Sequence, residues 1–122
     1  MEAMALSVTP QSSPLASKLV EETAAGPTPK NNVTGGPGSL YMVDVDNPNV
    51  AAVYLKVFDN AAPTVGTTPA DLVVRVAAGS RRTMALPLGF AFTALSFAVV
   101  TGAAEANVGA PVSNVAVRLA TT

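Results

Sequence analysis

An all-β protein is what this sequence predicts: a compact antiparallel β-sandwich or small barrel of about six or seven strands, with an extended N-terminal arm. Three observations carry that expectation. From Ser39 onward, apolar residues recur at every second position in runs bounded by Gly, Pro, Asn and Asp, the period of a half-buried strand and not of a helix. All six aromatic residues (Tyr41, Tyr54, Phe58, Phe90, Phe92 and Phe97) fall in that same part. Residues 1–38 are instead rich in Pro and Gly, end in Gly35-Gly36-Pro37-Gly38, and hold too few large apolar groups to offset their ordering entropy alone. The expected division is an arm over 1–38 and one sandwich domain over 39–122.

Within the arm, residues 15–22 read as a short helix. Ser12 or Ser13 is placed to cap it, Pro14 suits its first turn, and Gly26-Pro27 stops it. Leu15, Leu19 and Val20 would share one face. Fully extended, the arm reaches on the order of 120 Å, far enough to cross a neighbouring subunit, so these three side chains are candidate anchors on a partner.

The strands follow in order. Residues 39–46 alternate, with Tyr41, Val43 and Val45 on one face and Met42, Asp44 and Asp46 on the other, before an Asn47-Pro48-Asn49 turn. Residues 50–58 place Val53, Leu55 and Val57 on one face and Tyr54, Lys56 and Phe58 on the other. A loop over 59–69 leads to a strand over 72–77. Ala78-Gly79-Ser80 turns into another over 81–86. A long strand ends at Thr101, with Leu95, Phe97 and Val99 alternating with Ala94, Ser96 and Ala98. After a Gly- and Pro-containing loop, residues 112–121 close the domain with Val115, Val117 and Leu119 opposite Arg118.

Residues 83–104 carry no charge, a length that reaches across a bilayer. Pro87 and Gly89 interrupt the run, and its period is 2, so it reads as a buried hairpin at the centre of the sandwich.

Composition narrows the function. There is no Cys and no His, which excludes disulfides, thiolate nucleophiles, Cys- or His-based zinc sites and imidazole triads. The remaining titratable groups form no nucleophile–base pair, so a non-enzymatic protein without a cofactor is expected. Net charge is −1 and Arg81-Arg82 is the single basic doublet, so no nucleic-acid footprint is present. Charged residues make up 12% of the chain, about half the usual share. A surface so poor in charge is one that partners cover.

Several small clusters of polar residues stand out. Asp44, Asp46, Asn47 and Asn49 bring oxygens together, but Pro48 falls where a calcium ligand would be needed, and a polar strand end is the simpler reading. Arg75 and Arg118 read as solvated strand charges that discourage edge pairing, or as neighbours on one outer face. Gly79-Ser80-Arg81-Arg82 lacks the glycine spacing of a phosphate loop. Lys56 reads as a snorkelling lysine. Tyr54 and Phe58 carry more weight. Both faces of their strand are apolar, whereas one face of a two-layer sandwich should be wet. Either the arm covers them or a partner does.

The series Ala51-Ala52-Val53-Tyr54-Leu55-Lys56-Val57-Phe58-Asp59, Pro63-Thr64-Val65-Gly66-Thr67-Thr68-Pro69, Val76-Ala77-Ala78-Gly79-Ser80 and Leu88-Gly89-Phe90-Ala91-Phe92 resembles small β-rich structural proteins of tailed bacteriophages and cyanophages. The resemblance spans about residues 48–121 and leaves out the arm. It implies a virion component made in the host cytoplasm, most like a decoration (cement) protein on the capsid surface. The implied partners are the major capsid protein or other virion proteins and further copies of the chain, with a trimer the expected oligomer; neither nucleic acid nor membrane is among them. A head-fibre, neck or tail protein, or a glycan- or host-binding module, is the alternative.

Overall fold

The computed structural model of the chain describes residues 6–10 and 17–122 and shows an open antiparallel β-sandwich with no helix among those residues. Its eight strands are β1 (Leu6–Pro10), β2 (Lys18–Ala25), β3 (Gly38–Asn47), β4 (Val53–Asp59), β5 (Leu72–Val76), β6 (Ser80–Phe92), β7 (Leu95–Val100) and β8 (Val115–Thr121). One sheet runs β1-β2-β8-β3-β6 and the other β5-β4-β7. Val20, Val43, Val45, Val117 and Leu119 face Val53, Leu55, Val57, Phe97 and Val99 across the interior. These β-branched and aromatic side chains suit a pleated surface packed on one side.

The stretch read as an arm is largely part of this body. β2 pairs with β8 from Lys18↔Thr121 to Ala25↔Val115, and Val20 is fully buried opposite Leu119. The helix expected over 15–22 is therefore corrected to a strand over the residues from Lys18 on; Leu15 and Ala16 lie outside the described residues. The pattern was disguised because Glu22 points inward, at 1% exposure, where an apolar residue would mark a strand. Its carboxylate accepts from Ala24 N at 2.9 Å and pairs with Lys30 at 3.6 Å. Beyond β2, a strap over 26–33 runs along the free edge of β7. Val99 N donates to Gly26 O, Lys30 and Phe97 exchange backbone hydrogen bonds, and Val33 N donates to Leu95 O. One segment thus serves both sheets, and residue 38 is not a domain boundary in the packing.

The uncharged segment 83–104 also departs from expectation. It is not a central hairpin. β6 is an outer strand of the five-stranded sheet and β7 belongs to the other sheet. Asp59 directs that crossing, since its Oδ1 accepts from Thr93 N, Thr93 Oγ1 and Ala94 N at 2.8–3.1 Å. No helix among the described residues is long and apolar enough to cross a membrane.

Strand β3 carries a bulge between Leu40 and Met42. Leu40 and Val43 enter the core, so Tyr41 leaves the inward set assigned to it and joins Met42 outside. Gly89, at φ 76°, makes room for it: a Cβ there would lie 2.9 Å from Tyr41 Cε1. The bulge and Pro87 break the ladder of an edge strand that would otherwise be long and flat.

Truncation separates these roles. Removing residues 1–16 deletes one edge strand and is expected to leave a folded sandwich, less stable by about 1–2 kcal/mol through loss of Leu6 packing. Removing residues 1–38 uncovers the edges of both β8 and β7 and is expected to abolish the cooperative thermal transition measured by circular dichroism.

Candidate contact surfaces

The residues expected to bind partners are placed very differently from one another. Val20 and Phe58 have no exposed surface. Leu19 and Tyr54 are half-buried, and Leu15 lies outside the described residues. Leu19 is on the outer face of the five-stranded sheet, opposite Ala120; Tyr54 is on the outer face of the other sheet, opposite Val100. The structure brings no two of the four described residues together as an exposed patch.

Phe58 is covered from within the chain. It lies on the outer face of β4 with Tyr54 and Lys56, outside the main core. The loops over 60–71 and 101–114 close above that face. They touch where Gly66, at φ 95°, meets Val108; a Cβ on Gly66 would fall 2.7 Å from Val108 Cγ1. Lys56 Nζ donates to Ala104 O at 2.7 Å, and Asp71 N to Val57 O at 2.8 Å. The second apolar face of β4 is thus occupied by loops, which removes Phe58 as a partner anchor.

A different apolar surface is open. Val50 and Val112 are each 97% exposed. They flank a narrow notch of 60 Å³ lined by Ala51, Ala52, Pro111 and Thr101, nearly all of it apolar. The notch sits at the end of the sandwich formed by the β3–β4 turn and the β7–β8 loop. Asn47 and Asn49 hold those two loops and the β5–β6 turn in place. Asn47 is fully buried; its Nδ2 donates to Ala51 O, Val76 O and Ala77 O at 3.0–3.3 Å. Its Oδ1 accepts from the backbone and side-chain amides of Asn49, both at 3.0 Å. Asn49 in turn exchanges two hydrogen bonds with the backbone of Ser113, at 3.1 and 2.6 Å. The exposed valines therefore stand on fixed backbone, so holding them in place for a partner costs little entropy.

The apolar runs over 50–58 and 112–121 place Val50 and Val112 at strand starts, whereas both lie in loops ahead of β4 and β8. Turn formers adjoin each, Pro48-Asn49 before Val50 and Pro111 and Ser113-Asn114 around Val112. That adjacency is the signal that separates an exposed turn residue from the first of an alternating set.

The outer face of the five-stranded sheet carries ion pairs. Glu21, Arg118, Asp44 and Thr83 stand side by side across four strands. Arg81 grips both oxygens of Asp44, Thr83 Oγ1 donates to Asp44 Oδ1 at 3.0 Å, and Arg118 Nε donates to Glu21 at 3.0 Å. Asp44 is buried among them and spent on Arg81. No group of three or more potential metal-ligating residues occurs among the described residues. Arg75 and Arg118 lie on the outer faces of different sheets, so the pairing considered for them does not occur. In Gly79-Ser80-Arg81-Arg82, Arg81 is committed to Asp44 and Arg82 Nη1 donates to Arg75 O at 2.9 Å.

The Arg81 hydrogen bonds, then the Thr83 hydroxyl and the charges of Arg81 and Arg118, hold the Asp44 carboxyl below its ordinary value of 3.8, against an opposing push from burial. Hydrogen bonds from the backbone of Ala94 and Thr93 lower Asp59 likewise.

Comparison with family models, with curated proteins and with solved structures finds no match to this chain.

Both carboxyls are lower in the folded chain than in the unfolded one. Their stabilisation is therefore complete above the unfolded value and lost as pH falls from 3.8 through the folded values. Asp44→Asn is expected to cost about 1–2 kcal/mol at pH 7, with the gap to wild type closing as pH falls below 3.8; urea midpoints measured across that range check it.

Proposed function

We propose that the chain is a non-enzymatic structural protein of a tailed-phage virion, a decoration protein that docks on the capsid shell as a homo-oligomer. The observation that carries this reading is the apolar tip: two valines at 97% exposure on loops fixed by a buried Asn47–Asn49 network. Exposed apolar side chains on fixed backbone cost solubility and serve no packing in the free chain, which is the pattern of a protein-contact point. Such a contact needs no catalytic group. The resemblance of residues 48–121 to small phage structural proteins supplies the kind of partner, the major capsid protein, and a trimer as the assembly.

The N-terminal segment takes a smaller part than its composition suggests. Residues from Ser17 onward are bound into the sandwich, beginning with Ser17 N donating to Thr121 O at 2.9 Å. Among the described residues β1 is an outermost strand that pairs with β2 alone, so its free edge is what this segment offers a neighbouring subunit. Many identical contacts on a lattice make a small tip effective through avidity.

The test uses empty heads stripped of their small outer proteins and the paired variant Val50→Asp/Val112→Asp. Wild-type protein is expected to sediment with the heads and, in light scattering, to run as a defined oligomer. The variant is expected to keep its melting temperature while its occupancy falls by about tenfold or more. Full occupancy by the variant would remove the tip as the contact. Failure of wild type to bind heads, together with saturable binding to a glycan array, would shift the reading to a receptor-binding module.

A further inference from the structure

The groove beside Lys56 has a construction that neither the fold nor the proposed docking tip requires. Lys56 is 2% exposed, on the outer face of the central strand of the smaller sheet. An ammonium carries three donors, and Ala104 O, at 2.7 Å, is the one acceptor its Nζ holds among the described residues. Among the described residues no carboxylate approaches it within 4.0 Å. A buried charge without a counter-charge is costly unless something supplies one.

The side chain is not sealed in. It lines an open groove of 190 Å³ between the two long loops, with Pro69, Ala70, Val73 and Ala103 as walls and Glu105 at the rim. Val73 is 43% exposed there. The groove thus joins one buried cation to short apolar walls. The cation selects an anion. The carboxylate of Glu105 at the same groove disfavours a doubly charged one, which argues for a carboxylate over a phosphate.

We propose that this groove binds a carboxylate, with Lys56 as its counter-ion and the Pro69–Ala70–Val73 wall packing against the group that carries it. An acidic side chain of a partner protein, flanked by small apolar residues, is the occupant that uses both features. No bond is made or broken: the carboxylate takes the donors that Ala104 leaves free.

The experiment is an NMR titration of the full chain, following the Lys56 side-chain 15N signal and the amides of Val73 and of residues 103–105. Two probes are used, acetate and the tripeptide Ac-Val-Asp-Val-NH2. Saturable shifts with both probes are expected, with the peptide binding more tightly. Lys56→Met is expected to weaken binding by about tenfold to a hundredfold; Glu105→Gln is expected to strengthen it. Equal affinity for acetate and peptide would make a small free carboxylate the occupant and overturn the partner assignment. Absence of saturation, or binding unchanged in Lys56→Met, would overturn the site. Binding seen only in Glu105→Gln would overturn it too, because Glu105 itself would then fill the groove. Should Lys56→Met not fold, the wild-type Lys56 15N signal decides alone: a saturable shift supports the site and none removes it.

Discussion

Strand β4 is apolar on both faces, and the chain must cover both. That constraint organises most of the molecule. Val53, Leu55 and Val57 on the inner face call for an opposing sheet, which the β1-β2-β8-β3-β6 ladder provides. Phe58 and the stem of Lys56 on the outer face call for a second cover, and no third sheet exists among the described residues to provide it. The long β4–β5 and β7–β8 connections fill that role, each folded on itself by short hydrogen bonds such as Thr68 N to Thr64 O and Thr101 N to Gly109 O. Gly66 is where the two covers meet, and the contact leaves no room for a side chain. Burying an aromatic side chain there is worth about 1.5–3 kcal/mol, enough to hold loops that would otherwise be mobile.

The same constraint explains which parts of the fold the sequence disclosed. Where one face is packed and the other wet, alternation is clean: Val115, Val117 and Leu119 opposite Arg118 are placed as their spacing implies, and so are Val53, Leu55 and Val57. Where a local feature breaks the period, reading fails. Glu22 turns inward because a lysine on the strap, Lys30, lies within reach, so β2 looked like part of a tail. The bulge at Tyr41 reverses one side chain, and only the distant Gly89 accounts for it. The uncharged run 83–104 looked buried throughout because composition does not say that Ser80–Phe92 is an edge; Leu88 is 99% exposed. Two apolar faces on β4 were legible, but their cover was not, because loop closure through Gly66 and Val108 is a long-range contact with no local signature.

Polar groups buried at the strand ends set how rigid the exposed tip can be. Asn47 is fully buried yet hydrogen-bonded through both its amide nitrogen and its oxygen, so its burial costs little and specifies one arrangement of three loops. A short polar side chain does this better than an apolar one would, since the carbonyls of Ala51, Val76 and Ala77 would otherwise face each other unpaired. Isolated turn residues read as solvent-facing; here they form the fixed base on which Val50 and Val112 stand. At the other side of the same strand Asp44 is spent on Arg81, leaving it unavailable for a metal ion. Tip and ion-pair cluster therefore belong to one strand used in two ways, structural at Asp44 and presenting at Asn47.

Little net charge remains to act at a distance. With a net charge of −1, and with Arg81, Arg118 and Lys30 each held by a carboxylate of the same chain, the long-range field is weak. Electrostatic steering accelerates association only where complementary charge is uncompensated. Encounter with a partner should then proceed near the unsteered rate of about 10⁵–10⁶ per molar per second, and change little with salt. Under the proposed docking role, affinity would come instead from short-range fit: two valines on fixed loops, a strand edge at β1, and the buried ammonium of Lys56. For a protein placed once on a repetitive shell, slow unsteered capture is no handicap, because neighbouring copies lengthen residence by avidity. A freely exchanging receptor-binding module would gain far more from steering, and the near-zero net charge of this chain weighs against that use.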